Sequence, residues 1–228
     1  MSDTEHASHS HWIPLADLMT GLMMVFMLLT AAFMLRVEQT TTLVVKEFEE
    51  TKAQMLMALQ QEFAKDLKQW NAELLGDMTI RFGDSNAQFL TGRSDLQPKF
   101  RATLAEFFPR YVGVLSSERF RNSVKEIRIE GHTSAFWAGT SDPQSAYFQN
   151  MRLSQDRTRS ALEFVLQLPQ IKAEAGWLKQ HLTANGLSSS RPVNSADPNS
   201  IGNQRVEFRI VTNAESRMQQ IAEELQRK

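Results

Sequence analysis

The fold class predicted by the sequence is a single N-terminal transmembrane helix, a long amphipathic helical linker, and a small α+β domain with a β-α-β-α-β core. Three observations predict it. Leu18 to Leu35 contains no charged residue. Leu43, Phe48, Met55, Leu59, Phe63, Leu67, Trp70 and Leu74 recur close to helical intervals, with no Pro or Gly among them. From Met78 onward, short runs that alternate apolar and polar residues take turns with longer runs of helical period.

The chain has 228 residues, which suits one domain of ordinary size beside a membrane anchor. Its net charge of −1 shows no basic excess of the kind that binds nucleic acid. It contains no cysteine, which excludes disulfides, cysteine–zinc sites and thiol catalysis together.

Residues 1–11 form a polar arm with His6, His9 and His11. This composition reads as a solvated, disordered segment; adventitious metal binding is the other reading of the three histidines. Residues 12–36 are the membrane helix. From Ile13 to Leu35 the stretch is long enough to cross a hydrocarbon core of about 30 Å at about 1.5 Å per residue. The arm before it has Asp3 and Glu5 but no Lys or Arg, so the basic start of a cleaved signal peptide is missing and the segment reads as a retained anchor. Asp17 lies about one turn inside this helix. A carboxylate at that depth is costly to keep charged, and by default it marks an ion or proton path. The alternative is a hydrated interfacial Asp17 capping the helix near Pro14. Thr20, at i+3, shares its side of the helix and either faces the same path or bonds back to its own helix.

Residues 37–76 are the linker, read as one helix from Thr40 to a stop at Gly76. A single apolar stripe on so long a helix needs cover. That cover is a second copy in a coiled coil, a partner subunit, or the chain's own C-terminal domain. Residues 77–212 are the α+β domain. Its strands are expected at Met78–Phe82, Val124–Glu130 and Arg205–Val211. Its helices are expected at Pro98–Leu115 and at Asn150–Leu168, the second capped by Asn150 and stopped by Pro169. Gly83–Leu96, Phe136–Phe148 and Leu187–Gly202 read as loops. Residues 213–228, with Ala214, Met218, Ile221 and Leu225 at helical spacing, predict a C-terminal helix.

Two stretches also carry a family resemblance. Ala16-Asp17-Leu18-Met19-Thr20-Gly21-Leu22-Met23-Met24-Val25-Phe26 resembles the transmembrane helix of MotB-type stator subunits. The region from about Met78 to Thr212 resembles the OmpA-like peptidoglycan-binding domain. The matching pieces are Ile129-Glu130-Gly131-His132-Thr133, Asn150 with Leu153-Ser154 and Arg157, and Ala184-Asn185-Gly186-Leu187. Arg191-Pro192-Val193 and Asn203 with Arg205-Val206-Glu207 complete the pattern. The short acidic N-terminal arm and the long amphipathic linker bring the resemblance nearer to the ZorB branch, from Zorya antiphage defence systems, than to flagellar MotB.

The resemblance implies a cell-wall-anchored B subunit of an ion-driven inner-membrane motor. Such a subunit is a homodimer inside a pentameric ring of ZorA/MotA-like A subunits, with its N-terminus cytoplasmic and its C-terminal domain periplasmic. The positive-inside rule alone would place Arg36, Lys46 and Lys52 in the cytoplasm instead. Asp17 would be the ion-binding carboxylate, with Thr20 beside it. The ion is expected to be H⁺ rather than Na⁺, because the span holds no second carboxylate or polar cluster. Thr133, Asn150, Leu153 and Arg157 would bind peptidoglycan. One residue departs from the pattern: Ser134 stands where the family usually has Asp. A flagellar stator and a passive wall tether remain as alternative functions. No Ser-His-Asp, paired-carboxylate, metal-ligand or phosphate-loop arrangement appears at usable spacing, so no enzyme, metal or cofactor is expected.

Overall fold

The computed structural model describes residues 9–83 and 85–213. The helix expected at the C-terminus and most of the N-terminal arm lie outside the described residues. The chain divides into two compact units, residues 1–49 with 216–228, and residues 50–215.

The first unit is described through the start of α1 (His9–Phe63), which begins three residues before the expected span. Pro14 to Gln39 is long and apolar enough to cross a membrane. Its large side chains, among them Leu18, Met19, Met23, Phe26 and Leu29, are all more than half exposed. An uncharged helix with an apolar surface on all sides suits lipid rather than water.

In the second unit α1 ends at Phe63, not at Gly76. A series of tight turns follows, with Asn71 at a φ of 49°, and then the strand β1 (Ala72–Leu74). The reason is packing. Met55, Leu59 and Phe63 are fully buried in the core of the domain itself, so this part of the apolar stripe is covered by its own chain. Phe63 meets Phe107 at 5.3 Å between ring centroids, and Arg110 bonds Glu62 at 2.7 Å.

The remaining elements are β2 (Ile80–Phe82), the short α2 (Ser85–Gln88), α3 (Pro98–Leu115), β3 (Val124–His132), α4 (Pro143–Leu166), α5 (Ala175–His181), β4 (Leu182–Gly186) and β5 (Arg205–Thr212). The strands form a mixed sheet in the order β1-β2-β5-β3-β4, with β3 and β4 parallel and the other pairs antiparallel. The expected fold class is therefore the one observed, with β1, β4 and α5 added to the predicted core. Strand alternation separates the two faces of the sheet. Ile80, Phe82, Ile127, Ile129, Val206, Phe208 and Ile210 point into the core. There Phe107 of α3 lies 5.1 Å from both Phe82 and Phe208. Arg81, Glu130, His132, Arg205 and Glu207 occupy the alternate positions.

α4 starts seven residues before the expected cap at Asn150. Asp142 caps it, accepting from the Ser145 backbone N–H at 2.8 Å, and Pro143 takes the first turn, where its missing N–H costs nothing. Asn150 is an interior helical residue, buried, and its side chain donates to the Phe136 carbonyl at 3.1 Å.

Candidate functional site

α4 crosses β3 and β4 at close range, and two glycines permit it. A Cβ at Gly131 would meet the Ser154 carbonyl at 2.8 Å, and one at Gly186 would run into the Gln155 backbone. Gln155 fastens the contact, donating to the Ala184 carbonyl at 3.2 Å and accepting from the Gly186 N–H at 2.8 Å. This seats one face of α4, with Asn150, Leu153 and Arg157 at i, i+3 and i+7, beside the end of β3.

A cavity of about 190 Å³ opens there. Thr133, Asn150, Leu153 and Arg157 all line it, so the four residues expected at the wall site lie together. Ser134 lines it as well. Sequence reasoning missed Thr91 and Gly92 from the loop before α3, the aromatic pair Phe136 and Trp137, and Gln204 ahead of β5. Two aromatics in a segment read as irregular loop were the one available sign of a binding wall.

Arg157 is 4% exposed. Its Nε donates to the Arg93 carbonyl at 2.9 Å and its Nη2 to the Leu90 carbonyl at 3.3 Å, while the guanidinium lies 4.9 Å from the Phe89 ring centroid. Burial pulls its pKa down to about 10, so it remains a cation at neutral pH. Thr133 Oγ1 is buried with no hydrogen-bond partner among the described residues. The arrangement presents a fixed planar cation and unspent polar atoms to an incoming ligand, a pattern suited to a carboxylate.

A second polar cluster sits on the sheet face away from the core. Glu207 Oε1 accepts from Arg205 Nε at 2.6 Å and from Arg81 Nε at 2.7 Å. His132 Nε2 lies 3.4 Å from Glu207 Oε2, and Glu130 is its cross-strand neighbour in register. Ligand atoms of Glu130, His132 and Glu207 fall within 4.8 Å of one another, which meets the distance test for a metal site. The electrostatics oppose one. Arg81 and Arg205 already neutralise Glu207, and Arg191 stands 3.7 Å from Glu130.

In the first unit, Asp17 lies on the exposed surface of α1. Thr20 Oγ1 donates to the Ala16 carbonyl at 2.7 Å, so within this single chain its hydroxyl is turned to its own helix.

A helix fit to cross a membrane, joined to an α+β domain with a buried cation in its cleft, defines a membrane-segment protein with a ligand-binding head. No family model matches the chain. It is 41% identical over 227 residues to the Zorya protein ZorB of Escherichia coli (Crooks strain), across 95% of this chain and 94% of that one, and it belongs to the ZorB family. Among solved structures it is similar to a putative MotB-like protein from Desulfovibrio vulgaris, with 21% identity, a TM-score of 0.46, and 75% of this chain and 98% of that one covered. The cell wall anchor of the T6SS from Pseudomonas aeruginosa shows 20% identity and a TM-score of 0.46, over 68% of this chain and 96% of that one. The periplasmic domain of Helicobacter pylori MotB shows 17% identity and a TM-score of 0.43, over 64% and 84% respectively.

Proposed function

We propose that the chain is the wall-anchored B subunit of an ion-driven inner-membrane motor acting in Zorya-type antiphage defence. The observation that carries this reading is Asp17, a lone carboxylate about one turn inside an uncharged apolar helix of a ZorB-family chain. Buried against a partner ring, the carboxyl is cheap to keep neutral and costly to keep charged. Alternation between the two forms changes what the helix prefers to touch, and that difference steps the ring. The partner is a ZorA-like A subunit ring around a B-subunit homodimer, the ion is H⁺, and the N-terminus is cytoplasmic. On the far side of the membrane, Arg157 with Thr133, Asn150 and Leu153 grips a carboxylate of the peptidoglycan peptide.

Asp17→Asn keeps the size and hydrogen-bonding shape of the side chain but cannot exchange a proton. It is expected to abolish phage protection while membrane insertion and co-purification with the A subunit persist. Arg157→Ala is expected to lose pelleting with purified peptidoglycan. Full protection by the Asp17→Asn chain together with loss of protection by the Arg157→Ala chain would replace the motor with a passive tether.

A further inference from the structure

The cavity at Arg157 has an uneven charge balance. Among its described lining residues Arg157 bears the sole formal charge; Thr133, Ser134, Asn150 and Gln204 are polar but neutral, and Trp137 is aromatic. The two buried arginine groups on the sheet face differ in this respect, since Arg205 and Arg81 each hold a Glu207 oxygen within 2.7 Å. Arg157 has carbonyl dipoles and a phenyl face instead, which orient a guanidinium without cancelling its charge. Asp95, close by in sequence, is engaged with Arg93 at 3.1 Å and is not among the lining residues. An anion entering the cavity therefore meets an uncompensated positive charge. A second positive charge entering with it meets no acid at all.

That balance discriminates between two kinds of carboxylate. A free amino-acid centre carries an ammonium one carbon from its carboxylate. Seating it here would strip water from the ammonium and set it near Arg157 with no counter-charge. A peptide-terminal carboxylate carries a neutral amide N–H at the same position, which needs only a neutral acceptor. Thr133 Oγ1, buried and without a partner, is one such group, and Ser134 Oγ, which accepts from Gln204 Nε2 at 3.3 Å, is another.

We propose that the Arg157 cavity selects the carboxylate of an N-acylated residue, such as a peptide C-terminus, over the carboxylate of a free amino-acid centre. The inference rests on the wall-binding reading above and narrows it to one chemical form of the peptide stem. Ser134 is the specificity-determining position. An acid there would lie in the same cavity as Arg157 and would give an ammonium its partner.

The test uses the full chain in detergent and two synthetic stem peptides that differ at one point, a terminal amino-acid centre that is free in one and N-acetylated in the other. Each peptide competes against pelleting with purified sacculi. The acetylated peptide is expected to compete roughly tenfold better. The Ser134→Asp chain, checked for folding by its thermal melt, is expected to shift preference toward the free centre. Equal or better competition by the free centre in the unaltered chain overturns the inference, whatever the fate of the variant. Sacculus binding that neither peptide displaces overturns it too. Absence of sacculus binding by the unaltered chain instead defeats the wall reading itself.

Discussion

Glu207 shows how strongly single side chains are held on the open face of the sheet. Burial would raise its carboxyl pKa, but the His132 ring and the Arg205 and Arg81 guanidinium groups outweigh burial and hold it well below the ordinary 4.5. A depressed carboxyl contributes stability that is complete above the unfolded value and is lost as pH falls toward the folded one. Acid should therefore weaken the domain progressively below about pH 4.5. Glu207→Gln should flatten that acid limb. It should also cost about 3–5 kcal/mol at neutral pH, because Arg205 would be left buried without its counter-ion. Circular dichroism melts of the two chains between neutral and acid pH measure both effects. The residue types of this network were legible in the sequence as alternating charges along β3 and β5. Which charge meets which was not, because pairing depends on the register between strands distant in the chain.

At the scale of elements, the end of α1 is the instructive case. Periodicity alone carried the helix to Gly76, since the apolar positions continue through Trp70 and Leu74. The fold breaks it at Phe63, where packing against Phe107 and the Arg110 bonds to Glu62 and Asp66 outweigh further helix. Phe63→Ala should accordingly destabilise the domain by about 3–5 kcal/mol, the cost of a large cavity among aromatic neighbours. Chemical denaturation of the detergent-solubilised chain would read this. If Phe63 instead served a seam between two copies, the variant would change the mass of the complex and leave domain stability intact. The opposite error occurred at α4, placed too late because Asn150 looked like a cap. Asp142-Pro143 supplies the true start, and Asn150 is drawn inside to bond the Phe136 carbonyl. Strand β4 went unseen, being short and without clear alternation; its pairing with β3 makes it a strand.

For the molecule as a whole, the membrane orientation is the property to settle. The weak charge bias around the span points one way and the wall-binding reading points the other. The chain has no cysteine, so a single Cys reports cleanly. Ser195 is exposed on the loop before β5. A Ser195→Cys chain should react with a membrane-impermeant maleimide in cells whose outer membrane alone is opened. Protection until the inner membrane is lysed would place the domain in the cytoplasm and remove wall binding from the function.

By itself the sequence determined the apolar helix with its lone acid, the two principal domain helices and the alternation of the central strands. Each follows from local periodicity, which needs no partner to be read. Tertiary structure alone decided where α1 stops and where α4 begins. It also decided that Arg157 lies buried in a cleft with no carboxylate beside it. These depend on contacts between residues far apart in the chain, and the strength of a charge depends on how much water and which neighbours the fold leaves around it.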